Sequence, residues 1–268
     1  MTLFIIMNAT DVQFQAMNSG NVISQFVAPW FEGLPLHAIE RTAWWLHIVG
    51  ILVFLNYLYY SKHLHILLAF PNTYYGRLTP NGQLDNLNSV TKEVKLMMDP
   101  DADPYATPEE TTEEPEKFGA SDVFDLNQIQ LLNAYTCTEC GRCTSECPAN
   151  QTGKKLSPRK IMMDTRDRLQ EVGQNIDANQ GSFKPDGKQL LGNYITHEEL
   201  WACTSCNACV EACPVSINPL SIILDMRRYL VMEESAAPTE LNTMMTNIEN
   251  NGAPWPYNQM DRLNWNNE

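Results

Sequence analysis

Basic residues are scarce in this chain of 268 residues, where 18 Lys and Arg stand against 32 Asp and Glu for a net charge of −14. That balance excludes a general nucleic-acid binder, which needs basic surface to meet phosphate. Cysteine is missing everywhere except in two short stretches, Cys137 to Cys147 and Cys203 to Cys213, which hold all eight. A secreted disulfide scaffold spreads its cysteines through loops, so this clustering points to metal and to a reducing compartment. The sequence has no G-x-G-x-x-G fingerprint, no phosphate-binding loop and no H-E-x-x-H pair, so it lacks the usual signs of nucleotide or metalloprotease chemistry. No convincing apolar–polar alternation marks a strand. The opening "MTLFIIMNATD" has no basic residue before its apolar run. It is therefore not a normal secretory signal, and the run is too short for a bilayer, which takes about 20 apolar residues.

One stretch lacks charge altogether. "TAWWLHIVGILVFLNYLYYS", Thr42 to Ser61, contains no Asp, Glu, Lys or Arg. At about 1.5 Å per residue it reaches roughly 30 Å, the thickness of the hydrocarbon core. Trp44, Trp45, Tyr57, Tyr59 and Tyr60 mark its ends as an aromatic belt does. It reads as a transmembrane helix, with a buried core helix as the competing reading. Arg41 alone precedes it, whereas Lys62, Arg77, Lys92 and Lys95 follow. The positive-inside rule then puts the N-terminus outside and the rest of the chain in the cytoplasm, at the inner membrane. "KHLHILLAFPN" reads as a short amphipathic helix at the interface. "DPDADPYATPEETTEEPEK" is too polar and proline-rich to build a core and reads as a solvated tether.

The expected fold is mainly α: a transmembrane helix, an acidic linker and an α-helical domain. The expected divisions are an N-terminal segment over 1–41, a membrane and interfacial part over 42–70 and a linker over 71–120. A helical domain over 121–235 and a tail over 236–268 complete them. In the helical domain, Ser121 is placed to cap a helix whose apolar side includes Val123, Phe124, Ile129, Leu132 and Tyr135. Ser157-Pro158 and Asn218-Pro219 each open a helix, and Thr196 with Glu199 forms a capping box. Pro158, Ile161, Asp164, Arg166 and Leu169 recur in register as Pro219, Ile222, Asp225, Arg227 and Leu230. A cysteine motif followed by a capped helix thus occurs twice, which predicts two half-domains related by a pseudo-twofold.

"CTECGRCTSECP" and "CTSCNACVEACP" both read C-x2-C-x2-C-x3-C-P, the bacterial spacing for 4Fe–4S clusters. Two-residue spacers let one tight loop aim three thiolates at three corners of a cubane, with backbone N–H groups turned inward and Gly141 allowing close approach. In two-cluster ferredoxins the fourth cysteine ligates the other cluster. The predicted sets are Cys137, Cys140, Cys143 and Cys213 for one cluster, and Cys203, Cys206, Cys209 and Cys147 for the second. Structural zinc is the alternative, though zinc sites favour paired C-x2-C knuckles, often with histidine. Two four-iron clusters would consume every thiol, leaving no nucleophile, so the domain is expected to carry electrons and to have no substrate site of its own. Eleven of the 18 basic residues lie between Arg142 and Arg228. There they can offset the clusters' negative charge, or simply be solvated surface.

On these residues the cytoplasmic half resembles the helical two-cluster ferredoxin domain found in the small iron–sulfur component of heterodisulfide reductase. It also looks like the iron–sulfur subunits of succinate dehydrogenase and glycolate oxidase. "YTCTECGRCTSECPANQTGKKLSPRKIMMDTRD" is similar to membrane-bound bacterial (Fe–S)-binding proteins related to heterodisulfide reductase. The likeness extends through "FLNYLYYSKHLHILLAFPN". In that group the membrane part is similar to the cytochrome b subunit of respiratory nitrate reductase. The resemblance implies that the span is the last helix of such a bundle and that "MTLFIIMNATD" is the tail of an earlier one. It also implies b-type haem at His47 and His65, roughly 27 Å apart along one helix, with further membrane helices supplying partner ligands. No CCG repeat follows Cys213, so a separate CCG-domain or flavoprotein oxidoreductase subunit is the implied partner. "NNGAPWPYNQMDRLNW" is either a docking tail or a segment packed on its own domain. The expected function is a membrane-anchored relay between that partner and the quinone pool. An iron–sulfur subunit of a glycolate or lactate oxidase complex and a redox sensor are the alternatives.

Overall fold

The computed structural model describes residues 1–12, 16, 21–80, 82–99 and 117–266. Among these the chain is helical and no strand forms, a lone bridge between Leu191 and Ile195 being the nearest approach to one. It divides into two compact units, Met1–Leu67 and Leu68–Glu268.

In the first unit, helix α1 (Thr2–Thr10) packs along α3 (Leu36–Leu58), with the short α2 (Val22–Val27) beside α1. Helix α3 is long and apolar enough to cross a membrane. It leaves Trp45, Leu46, Val49, Leu52, Val53 and Leu55 exposed, an apolar surface that lipid would solvate and water would not. It begins before Thr42 and ends before Ser61. The earlier start places Glu40 and Arg41 inside the helix, where Glu40 Oε2 and Arg41 Nε lie 2.9 Å apart. This mutual pairing makes the two charges tolerable near a membrane end. The chain then turns and starts α4 (Leu64–Tyr74), which contains Pro71.

The second unit holds the rest. The region expected as a continuous tether contains structure: α4 runs on to Tyr74, and α5 covers Asn88–Met98. The acidic core of that tether, 100–116, lies outside the described residues. Ser121 does not cap the next helix. Asp122 caps a 3-10 turn at Val123–Asp125, and α6 (Gln128–Thr136) starts at a capping box of Asn127 and Gln130. The change follows from the Ser121 hydroxyl, which donates to the Asp125 carboxylate at 3.0 Å and accepts from Lys117 Nζ at 2.6 Å, so it is not turned to a helix N–H. Phe124 and Ile129 consequently lie on the surface, and Phe124 packs edge-on against Phe183.

Helices α7 (Arg142–Ser145) and α8 (Pro148–Gln151) follow, then α9 (Pro158–Ala178), capped by Ser157. The second repeat comprises α10 (His197–Ala202), α11 (Ala208–Glu211) and α12 (Pro219–Met232). Thr196 with Glu199 caps α10, and Asn218 caps α12. Helix α13 (Thr239–Asn251) ends the helical run. Helix α9 packs on both α6 and α12. Equivalent repeat positions, Pro158 with Pro219 and Ile161 with Ile222, are buried in both helices. Each fully buried Ile, Leu or Met contributes about 1.5–3 kcal/mol, and Met162, Ile195, Leu200, Ile223, Met226 and Leu230 add to the same core.

The segment before Asp122 is stitched to α12. Ala120 N–H donates to the Asp225 carbonyl at 3.0 Å. Gly119 next to it has φ +81°, and a Cβ there would fall 2.2 Å from that carbonyl oxygen and 2.6 Å from the Tyr229 nitrogen. Gly119→Ala should therefore cost at least about 2 kcal/mol, from left-handed strain together with overpacking. The check is chemical unfolding monitored by circular dichroism, where an unchanged midpoint would contradict the expectation.

Candidate metal centres

The two cysteine loops fold alike because the same backbone positions turn left-handed. Glu139 and Gly141 have φ of 61° and 85° in the first loop, and Ser205 and Asn207 have 56° and 61° in the second. A left-handed residue costs a non-glycine side chain about 1–3 kcal/mol, so its repeated use marks a constrained loop. The curl turns backbone N–H groups toward sulfur: Ser205 N–H donates to Cys203 Sγ at 3.4 Å, and Glu139 N–H does the same for Cys137. Each loop then enters a short helix carrying its third cysteine, Cys143 on α7 and Cys209 on α11. Pro148 and Pro214 follow the fourth cysteines, and Pro148 opens α8.

The structure brings the thiols together across the repeats. Burial pushes the Cys137 and Cys143 thiols up, and the neighbouring charge of Cys213 and Cys140 pushes both further. In the second set, burial raises Cys203, with Cys147 and Cys206 adding to it. Cys209 is pushed up to about 12, first by burial and then by Cys203, Cys143, Cys147 and Cys206. The charge of Cys213 thus acts on thiols of the first loop, and that of Cys147 on thiols of the second. Raised thiols are the reverse of a nucleophilic cysteine, whose thiolate is favoured at neutral pH; iron would have to displace these protons as it binds. Helices α7 and α11 pack on each other, so Cys143 and Cys209 mark where the two sets meet.

Three thiols from one loop, a fourth from the other repeat and N–H groups aimed at sulfur fit a 4Fe–4S cluster. Among the described residues, no three His, Cys, Asp or Glu side chains gather as one metal ion requires. The Cys213 turn is also anchored from a distance, since buried Asn72 on α4 donates its Nδ2 to the Val215 carbonyl at 2.7 Å.

Several charged side chains around these loops are not apparent from the motifs. Arg166 reaches Glu139 at 2.8 Å. Its repeat equivalent Arg227 donates from Nε to the Leu200 carbonyl at 3.0 Å and from Nη1 to Ser205 Oγ at 3.3 Å. The recurring Arg at one register position is the only sequence signal for either contact. Arg168, without a counterpart in the repeat, has a side chain with no exposed surface and holds Asp122 at 2.8 Å. Its Nη2 also meets Asp186 at 3.1 Å and the Lys188 carbonyl at 2.8 Å. Hydrogen bonding from Arg168 lowers Asp186 to about 2.

The histidines fare differently. His47 lies on α3 with its ring 6.1 Å from that of Phe4. His65 lies on the separate helix α4, with Nδ1 2.5 Å from the Lys62 carbonyl. The chain turns between Tyr59 and His63, so the two are not spaced along one helix, and neither environment supports haem.

Residues 136–217 match the family model of the 4Fe–4S dicluster domain. The chain thus carries a 4Fe–4S dicluster domain together with a helix long and apolar enough to cross a membrane. It is similar to several iron–sulfur oxidoreductase proteins. The chain is 34% identical over 254 residues to the probable iron-sulfur-binding oxidoreductase FadF of Bacillus subtilis, covering 84% of this chain and 33% of that protein. It is 26% identical over 282 residues to EtfAB:quinone oxidoreductase of Syntrophomonas wolfei, covering 97% of this chain and 36% of that one. With one component of the ferredoxin/F(420)H(2)-dependent CoB-CoM heterodisulfide reductase of Methanosarcina acetivorans it shares 30% identity over 120 residues, 44% of this chain and 60% of that component. The chain spans about a third of the length of the first two, by the 33% and 36% just given. No solved structure matches it.

Proposed function

We propose that this chain relays single electrons between a cytoplasmic flavoprotein or CCG-domain oxidoreductase and the membrane quinone pool. In this reading α3 anchors it in the inner membrane and the cysteine domain faces the cytoplasm. Cys137, Cys140, Cys143 and Cys213 hold one 4Fe–4S cluster, and Cys203, Cys206, Cys209 and Cys147 hold the other. The observation that carries the reading is the crossing of the fourth cysteines together with the packing of α7 on α11. These support a reading in which two four-thiol sets stand side by side, with no thiol left for substrate chemistry. When bound, such clusters supply one-electron redox chemistry. The chain's part is to hold the sets adjacent, keep their sulfurs hydrogen-bonded and partly shield them from water. Asn72 on α4 anchors the turn that follows Cys213. The EtfAB:quinone oxidoreductase relative supports quinone as the membrane partner.

The test is anaerobic purification of the full chain in detergent, followed by iron analysis and low-temperature EPR of the dithionite-reduced protein. The reading expects roughly eight irons and about two interacting spins per chain. One spin with a labile second site would favour a redox sensor, and zinc without iron would overturn the reading.

A further inference from the structure

The two repeats place an arginine against the same point of their cysteine loops, yet the electrostatic surroundings differ. In the first repeat, Arg166 Nη1 lies 2.8 Å from the Glu139 carboxylate, and its Nη2 lies 3.2 Å from Asp167. Its positive charge is therefore already answered by carboxylates. In the second repeat the residue equivalent to Glu139 is Ser205, and Arg227 meets only neutral acceptors. It donates to Ser205 Oγ, twice to the Leu200 carbonyl and once to the Cys203 carbonyl, and it lies over the Trp201 ring, 5.0 Å from its centre. Arg227 is half-buried, and no ion pair with a carboxylate forms at it among the described residues. Arg142, Glu146 and Arg159 in the first repeat and Glu211 in the second are exposed, and solvent and salt screen them; buried Glu199, beside Leu200, is answered by Lys160 at 2.9 Å.

We propose that Arg227 raises the potential of the cluster held by Cys203, Cys206, Cys209 and Cys147 above that of its neighbour, whose Arg166 is neutralised by Glu139. This rests on the two-cluster reading above. A cluster gains one negative charge when one electron enters. An uncompensated guanidinium beside it favours that reduced state, and a guanidinium paired with carboxylates does so much less. Partial burial preserves the effect, because the local dielectric is lower than that of water. The arginine thus acts through the loop, as a residue that tunes and positions without carrying electrons itself. The pKa of Arg227 agrees: burial lowers it, and the only charge opposing that shift is the Cys203 thiolate. For Arg166, burial also works downward, but Glu139 and Asp167 outweigh it and raise the value.

The experiment is an anaerobic redox titration of the full chain in detergent, with dithionite as reductant and EPR as readout, on the wild type and three variants. The wild type should show two one-electron steps. Arg227→Gln should lower the upper step by at least a tenfold change in the oxidised-to-reduced ratio, 59 mV for one electron, and leave the lower step in place. Arg227→Lys should keep most of the wild-type upper step, since it keeps the charge. Glu139→Gln should raise the lower step, so both charge-removing variants narrow the gap from opposite sides. An Arg227→Gln protein with both steps unmoved, or with the lower step moved, overturns the proposal. So does an Arg227→Lys protein that titrates like Arg227→Gln, because the lost hydrogen bonds and not the charge would then be responsible. If Arg227→Gln fails to load iron, Glu139→Gln decides alone: a raised lower step supports the proposal, and an unmoved one overturns it. A wild type with no reducible signal would instead defeat the two-cluster reading.

Discussion

Replacing Cys213 with alanine should cut bound iron from roughly eight to roughly four per chain and leave a spectrum matching that of Cys137→Ala. The match is the discriminating part. Cys213 lies in the second motif by sequence, but in the folded chain its thiol acts on Cys137 and Cys143. Cys147, from the first motif, acts on Cys203 and Cys209. If thiol sets follow the fold, Cys213→Ala and Cys137→Ala remove the same cluster, and Cys147→Ala and Cys203→Ala remove the other. If each motif instead filled its own cluster, Cys213→Ala would resemble Cys203→Ala, and the crossed assignment would fail. Alanine is preferred to serine because a serine oxygen can stand in as a ligand. Loss of a crossed cysteine also removes a link between the repeats, so thermal stability should fall along with the iron.

Arg168→Met should be the most destabilising single change outside the cysteines, at about 3–5 kcal/mol. Methionine fills much of the same volume, so packing is largely kept, and what is lost is the charge. Asp122 and Asp186 would be left beside the core without their counter-ion, and the Lys188 carbonyl without its donor at 2.8 Å. Asp122 is the more exacting partner, since it also accepts the Val123 N–H at 2.9 Å and the Leu190 N–H at 3.2 Å. One guanidinium therefore joins the turn before α6, helix α9 and the 186–190 segment, three stretches distant in sequence. Arg168→Lys should cost less but remain damaging, because an ammonium cannot serve two carboxylates and a carbonyl in the fork geometry of arginine. A thermal melt of the iron-loaded protein checks this: Arg168→Met should lower Tm on the order of 10 °C. A shift within the error of the melt would mean that Asp122 and Asp186 find other partners.

Much of this chain was legible from local chemistry. The charge-free run around Trp44 to Tyr57, the caps at Ser157, Thr196 and Asn218, and the spacing of the cysteines depend on neighbours within about one turn of helix or loop. Such short-range rules act before any tertiary contact forms. The repeat was visible for the same reason, because two copies of one unit bury the same register positions. Ser121 as a helix cap failed because Asp125 and Lys117 engage its hydroxyl, and Asp122 is held in place by an arginine far along the chain. The spacing of His47 and His65 failed because the helix ends at Leu58, which removes the continuous path that a rise per residue assumes.

The sequence by itself determined the helical character and the membrane-competent helix, since each depends on residue type and near neighbours. The tertiary structure decided which arginine is neutralised by a carboxylate. It also decided that Arg168 lies in the core. Each of these turns on side chains tens of residues apart meeting at a few ångströms, where Coulomb and hydrogen-bond energies depend on distance and on burial. No spacing rule along the chain carries that information.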